Sequence, residues 1–315
     1  MPFPVAFSLD EIAQLAPKRS AVTLGVFDGV HRGHHRIIEE LVTCRADEDI
    51  DRVFLMTFDP HPVSVTHSRA MPPVLSTIAE RIELFREFDL DGVFVVPFDE
   101  RTARMDYRDF IQRYFLDAMD MRRLVLGYDC HFGHRRQGSP ERVASEGERL
   151  GFSVRVVPPV EFDGAVVSST QIRETLEAGK LDRANDLLGH PYLVRGTVGS
   201  GRGKGRNLGF PTANVGVNDP MKLWPPLGVY AVNVIWREQR YGGMMNVGRA
   251  PTIKAGETEI EVHIFDFDHT LYGETVSVYC EAWLREERRF PSVDALIAQL
   301  TKDRERAREV LGLRQ

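Results

Sequence analysis

TLGVFDGVHRGHHRII, residues 23–38, carries the reading of the first half of the chain. AVTLGVF (21–27) has the apolar, β-branched composition of a strand, and it runs into a tight turn at Gly25-Val26-Phe27-Asp28-Gly29. A helix follows from near Gly33, with Ile37, Ile38, Leu41 and Val42 on one face. Small residues between a strand and a helix start let a polyphosphate approach the backbone closely, and the helix N-terminus adds N–H donors and a favourable dipole. His31 and His34 are three residues apart, so at a helix start both imidazoles can point to one side and donate to phosphate oxygens as negative charge builds. The alternative is that these histidines only cap the helix or bind a metal. His35 adjoins them without an assigned role and is read as surface.

Outward from this stretch the rhythm is strand, helix, strand. VFLMTF (53–58), GVFVVPF (92–98), RLVLG (123–127) and FSVRVV (152–157) read as strands. Between them lie a helix after Thr77 with Ile78, Ile82, Phe85 and Phe88 as its stripe, a helix at 109–116, and one opened by Ser139-Pro140 and closed by Gly151. A further helix spans 169–179. Thr77 and Glu80 have the spacing of a capping box. This alternation predicts a doubly wound parallel sheet, with ligands beyond the carboxyl ends of its strands. TFDPHP (57–62), LGYDCHFGHRRQG (126–138) and SSTQIR (168–173) all follow strand ends, where one crevice collects them. Taken alone, TFDPHP is equally a rigid surface turn and Arg135-Arg136 are solvated charges.

After about residue 186 the pattern becomes antiparallel: 192–198, 228–236, 241–247, 259–267 and 275–284 are strand-like runs with Gly, Pro and Asn between them. Only the end is helical, with Val293, Leu296, Ile297 and Leu300 on one stripe. This half is expected to be a small antiparallel β-barrel with a terminal helix, giving domains 1–185 and 186–315. It opens on GTVGSGRGKGRNLGFPTANV (196–215), in which five glycines fall from Gly196 to Gly205. This is not a Walker loop, because Lys204 is followed by Gly-Arg. A glycine-rich loop still folds over phosphates with its N–H groups, and Lys204 adds local positive charge. Thr212 and Asn214, alternate residues of an extended segment, offer two hard oxygen ligands suited to Mg2+.

The first half resembles the HxGH nucleotidylyltransferases. Its three further segments narrow this to the adenylyltransferase half of the prokaryotic bifunctional riboflavin kinase/FMN adenylyltransferase (FAD synthetase) family. The resemblance implies that Gly25, Phe27, Asp28, Gly33, Ser169, Thr170 and Arg173 hold ATP, and that Phe58, Pro60, His61, Pro62 and Asp129 border the flavin or nucleotide. The family often has an aromatic residue where this chain has Cys130. The second half is similar to riboflavin kinase along GTVGSGRGKGRNLGFPTANV, MNVGRAPT (245–252) and EVHIFDF (261–267). That likeness implies Gly199, Gly201, Gly203, Lys204, Gly205 and Pro211 as ATP contacts and Glu261 as catalytic base, whereas spacing alone does not separate Glu261 from Glu259 two residues away. Arg285 falls in a stretch resembling the family's ligand-proximal loop. The implied chemistry is ATP-dependent phosphorylation of riboflavin to FMN with release of ADP, then adenylyl transfer from ATP to FMN, giving FAD and pyrophosphate.

Composition sets outer limits. The chain has 315 residues, 43% hydrophobic and 27% charged, which is ordinary for a globular protein of two domains. A net charge of −6 argues against nucleic acid as partner. Three widely spaced cysteines, Cys44, Cys130 and Cys280, suggest reduced thiols and a cytoplasmic setting. No leader-like start and no run of about 18 apolar residues is present, so no membrane is expected. FDFDHTLYG (265–273) imitates the Asp-x-Asp-x-Thr signature of phosphatases, with Asp266 as nucleophile, but only 42 residues follow Gly273. Two further readings stay open: a different nucleotidylyltransferase with the barrel as specificity module, and a flavin carrier without catalysis.

Overall fold

The computed structural model describes residues 3–68, 70–200, 205, 208–249 and 258–313. The chain packs as two compact units, Met1–Pro72 with Arg81–Ser168, and Pro73–Glu80 with Ser169–Gln315. The second unit begins at Ser169, ahead of residue 186, and it takes a short piece of chain from within the first half.

The sheet of the first unit contains β1 (Val5–Ala6), β2 (Ser20–Leu24), β3 (Arg52–Asp59), β4 (Gly92–Pro97), β5 (Met121–Gly127) and β6 (Ser153–Val157). Their order is β1-β4-β3-β2-β5-β6 and all neighbours run parallel. Residues 53–58 of β3 and 92–96 of β4 are buried throughout, as strands covered on both faces must be. The order reverses between β2 and β5, and in sheets of this kind ligands sit past the carboxyl ends of the strands at that point. β2 stops at Leu24, and Gly25 to Phe27, expected as strand, form the loop beyond it. Phe54, Met56, Phe94, Val96, Phe110, Phe115 and Phe132 lie in one core. Each fully buried phenylalanine contributes roughly 2 kcal/mol.

Helix α1 (Leu9–Gln14) precedes β2, and α2 (Arg32–Thr43) follows it, burying Ile38 and Leu41. α3 is Pro62–Thr66 and α4 is Ile78–Phe85. The expected capping box is present at α4: Thr77 N–H donates to Glu80 Oε2 (2.8 Å) and Glu80 N–H to Thr77 Oγ1 (3.2 Å). Its buried face is not the expected stripe, however. Glu80, Arg81, Leu84 and Phe85 are buried, whereas Ile78, Ile82 and Phe88 are only partly so. At 107–117 a short α-helix, Tyr107–Phe110, runs into a π-helical turn, Ile111–Asp117. The helix Pro140–Leu150 has the anticipated Ser139 cap, and Gly151 follows it at φ 84. β1 and the hairpin β7 (Glu161–Phe162) with β8 (Ala165–Val166) were not expected; two-residue strands have no readable period.

The second unit holds a closed barrel of β9 (Tyr192–Gly199), β10 (Ala213–Gly216), β11 (Gly228–Trp236), β12 (Gln239–Arg249), β13 (Thr258–Ile264) and β14 (Thr275–Arg285), ordered β10-β13-β12-β11-β14-β9. All pairs are antiparallel. The short β10 closes the barrel by pairing with both β9 and β13. β13 ends at Ile264, and Asp266, with φ 52, breaks away from it. The phosphatase reading therefore fails: its aspartate follows an antiparallel barrel strand and accepts a hydrogen bond from Arg308 at 2.9 Å. The C-terminal helix Val293–Val310 packs Ile297, Leu300 and Ala307 on Ala231, Met244 and Phe265. These barrel residues face outward, so Tyr230, Val232 and Met245, alternating with them, fill the inside. Val293, expected on the buried stripe, is 58% exposed, and Asp303 and Ala307 take the buried face instead. The unit also includes two helices, Ser169–Glu177 and Leu181–Leu188; Asn185 of the second donates to Cys280 O (2.9 Å) and accepts from Tyr192 N–H (2.9 Å).

The piece Pro73–Glu80 is fastened to the barrel by a buried ion pair. Lys222 Nζ donates to Glu80 Oε2 (2.7 Å), Leu75 O (2.8 Å) and Leu193 O (2.8 Å), and both charged side chains are fully enclosed. Glu80 Oε1 also accepts from Arg195 N–H at 2.9 Å. No helix among the described residues is long and apolar enough to cross a membrane.

Candidate active sites

The candidate site of the first unit is built on the loop between β2 and α2. Gly25 N–H bonds Met56 O at 3.1 Å, so the chain stays in contact with β3 for one residue past the strand. Phe27 (φ 54), Gly29 (φ 81) and Val30 (φ 40) then turn sharply through the left-handed region, which non-glycine residues adopt only when held there. The loop ends at His31, the N-cap of α2, whose Nδ1 accepts from His34 N–H at 3.4 Å. An accepting Nδ1 in a neutral ring places the proton on Nε2, which becomes the donor. The two imidazoles lie stacked, centroids 3.6 Å apart and 15° from parallel. Thus His31 does cap the helix, and it also stands face to face with His34. The Phe27 ring meets His34 edge-on at 5.2 Å. Gly33 makes the stack feasible, because a Cβ there would lie 3.1 Å from His31 Cε1. Asp28 is buried beside them in sequence. Burial, together with His31, His35 and Arg81, holds the His34 imidazole well below its ordinary pKa, so His34 is neutral near pH 7.

The other segments after strand ends divide. Asp129 is exposed just past β5, and Gly127 leaves room near its Oδ1. Pro60 is exposed, and His61 and Pro62 are half-buried; His61 Nδ1 accepts from Val63 N–H (3.1 Å) and caps α3. Phe58, expected to border a ligand, instead stands in the core, edge-on to Phe98 at 5.2 Å, because its place in β3 turns the side chain inward. Cys130 lies against the same core, and burial with neighbouring Asp129 pushes its thiol to about 12, an inert group. Ser169 and Thr170 open their helix in the second unit, where Arg173 Nε donates to Pro73 O at 2.7 Å.

In the barrel, register gives the two glutamates different partners. Asn214 of β10 lies directly opposite Glu261 of β13 and, on its other side, Gly199 of β9; Glu261 lies opposite Asn246 of β12. Directly paired residues share one face about 5 Å apart, so Asn214, Glu261 and Asn246 form a row. Glu259 is instead opposite Gly248. The row is on the outer face, since His263, two residues along from Glu261, packs edge-on against Phe210 (5.3 Å) and Phe265 (5.7 Å) of the outer cluster. Gly205 sits against Thr212: a Cβ at Gly205 would meet Thr212 Oγ1 at 3.3 Å and Phe210 O at 2.2 Å. Phe210 N–H closes the turn onto Gly205 O at 2.9 Å. Gly201, Gly203 and Lys204 lie outside the described residues, as do Ala250 to Thr252 of MNVGRAPT. The Arg285 guanidinium is engaged: it grips the Asp303 carboxylate (2.7–3.0 Å) and donates to Glu286 O.

Two residues that sequence reasoning passed over touch these sites. His263 Nδ1 is 2.8 Å from Pro211 O; a carbonyl only accepts, so the ring donates and anchors the residue before Thr212. Arg81 donates to Val26 O in the loop before Phe27. Its signal was available, as a charge three residues after Ile78 and four before Phe85 on an apolar stripe.

Comparison with known proteins matches both halves. Residues 13–171 fit the family model described as FAD synthetase, and residues 188–311 the one described as riboflavin kinase. The bifunctional riboflavin kinase/FMN adenylyltransferase of Escherichia coli (strain K12) is 33% identical over 306 residues, covering 97% of each chain. That of Listeria monocytogenes serovar 1/2a is 34% identical over 289 residues, covering 91% of each. A crystal structure titled as a macrolide-efflux protein from Streptococcus pneumoniae superposes with a TM-score of 0.79 at 33% identity, over 93% of this chain and 94% of that one.

Proposed function

The chain belongs to the family of bifunctional riboflavin kinase/FMN adenylyltransferases, and on that premise we propose that it makes FMN at the barrel and FAD at the parallel sheet. Residues 1–185 carry the adenylyltransferase and 186–315 the kinase. The observation that carries the kinase assignment is Asn214 opposite Glu261, beside the glycine turn at Thr212.

In the kinase step Glu261 accepts the proton of the riboflavin 5′-hydroxyl as that oxygen bonds to the γ-phosphorus of ATP, and ADP leaves. The glycine loop covers the phosphates. Thr212 and Asn214 are the residues that would hold Mg2+; a hydroxyl and an amide oxygen suit that ion, which would neutralise phosphate charge there. The place of Thr212 against a glycine, where any side chain would crowd its hydroxyl, supports this.

In the second step an FMN phosphate oxygen bonds to the α-phosphorus of a second ATP and pyrophosphate leaves. His31, His34 and Arg173 stabilise the oxygens that gain charge, and two imidazoles stacked at a helix start are suited to donating to them. The resemblance assigns Ser169, Thr170 and Arg173 to the ATP phosphates. Neither step needs a covalent enzyme intermediate. A cytosolic setting is supported by three cysteines outside any disulfide.

Incubation with riboflavin, ATP and Mg2+, followed by product separation, tests the reading. FMN should appear first and FAD after it. Absence of FMN would favour another nucleotidylyltransferase, and absence of ATP consumption a flavin carrier.

A further inference from the structure

We propose that Arg81 is a positioning residue for adenylyl transfer, holding the loop that presses Phe27 against the paired histidines. The inference rests on the assignment of His31 and His34 to that step.

Arg81 is 4% exposed. A guanidinium is buried at a cost of several kcal/mol unless its protons find acceptors. Here NH1 alone reaches three: Val26 O at 2.6 Å, Thr57 Oγ1 at 3.0 Å and Phe58 O at 3.4 Å. Thr57 Oγ1 itself donates to Val26 O at 3.1 Å. The loop's carbonyl at Val26 is therefore bound twice, once from α4 through Arg81 and once from β3 through Thr57.

The next residue, Phe27, has φ 54. That conformation costs a non-glycine residue about 1–3 kcal/mol and persists only where its surroundings enforce it. One enforcement is Arg81 on the preceding carbonyl. A second is Phe85, one turn further along α4, whose ring meets Phe27 edge-on at 5.8 Å. A third is Gly25, which has no Cβ where the Phe27 ring passes at 3.1 Å. With its backbone fixed, Phe27 places its ring edge on His34.

Arg81 also acts by charge. The titratable neighbours that bear on His34 are His31 from the cap, His35 from α2 and Arg81 from α4, and each opposes its protonation. Of these only Arg81 is permanently charged. Burial is the chief cause of the depressed His34 pKa, and the Arg81 charge adds to it while its hydrogen bonds keep Phe27 in place.

The full-length chain offers an internal control, because riboflavin-to-FMN turnover reports on the other site. Arg81→Met should slow FMN-to-FAD turnover about ten- to a hundredfold, the scale of a misplaced catalytic group, with riboflavin-to-FMN turnover unchanged. The His34 imidazole, followed by NMR, should titrate at higher pH in Arg81→Met and stay near the wild-type value in Arg81→Lys. A merely structural role would not move that titration selectively. Wild-type FMN-to-FAD turnover in Arg81→Met, or an unmoved His34 titration, would overturn the proposal. If Arg81→Met loses both steps, Arg81→Lys decides: a selective loss of FAD formation supports the proposal, and a parallel loss of both overturns it. His34→Ala separates the two levels of inference. If it retains adenylyl transfer, the underlying reading of the histidines fails; if it loses transfer while Arg81→Met does not, only the role of Arg81 fails.

Discussion

His34 shows how a single side chain carries a consequence for the whole fold. Its folded pKa is depressed by burial and by the neighbouring positive groups, whereas in the unfolded chain it titrates near its ordinary value of about 6.5. Below that pH the unfolded chain binds a proton that the folded chain refuses. Its contribution is complete above pH 6.5 or so, and stability falls as the pH is lowered toward the folded value, by up to about 1.4 kcal/mol per unit. Urea denaturation between pH 7 and 5 should show a shallower loss for His34→Gln than for wild type. An identical slope would show that His34 is not held neutral. Gly205 gives a second residue-level test. A Cβ there would lie 2.2 Å from Phe210 O, so Gly205→Ala must open the turn that rests on Thr212. FMN formation should drop at least about tenfold with FMN-to-FAD conversion preserved, read from product ratios. At this scale the sequence singled out His31, His34, Thr212 and Asn214 as candidates through their motifs, but its spacing left Glu259 and Glu261 level, because strand pairing decides which of them lies beside Asn214.

Among the elements, long periodic strands were legible almost to the residue: β11 spans the expected 228–236. Short ones were not. β10 has four residues, and it closes the barrel only through partners far along the chain. α4 is the more instructive case. Its capping box was readable, yet Glu80 does more than cap. It is the buried counter-charge of Lys222, 142 residues away, and no local pattern announces such a partner. Because every proton of the Lys222 ammonium is bonded, the pair holds the piece Pro73–Glu80 to the barrel. Lys222→Met should destabilise the protein by about 3–5 kcal/mol, since Glu80 is left buried without its partner. Thermal or chemical denaturation checks this; a change below about 1 kcal/mol would mean that the pair is idle. Glu80→Gln in the Lys222→Met background should recover part of the loss.

Across the molecule, two compact units each hold a candidate site built by a different route. One uses a strand-to-helix turn at the edge of a parallel sheet, the other the outer face of an antiparallel barrel. The change from alternating helices and strands to successive strands made both architectures readable. The compact unit nevertheless starts at Ser169, because the helices Ser169–Glu177 and Leu181–Leu188 pack with the barrel through contacts such as Asn185 to Cys280. The proposal is that residues 1–185 and residues 186–315 each perform their own transfer at phosphorus. It is tested most directly by following riboflavin, FMN and FAD over time in two variants, His31→Ala with His34→Ala, and Asn214→Ala. The histidine variant should accumulate FMN and make no FAD, and the asparagine variant should make no FMN from riboflavin yet convert supplied FMN to FAD. Equal loss of both conversions in each folded variant would contradict it.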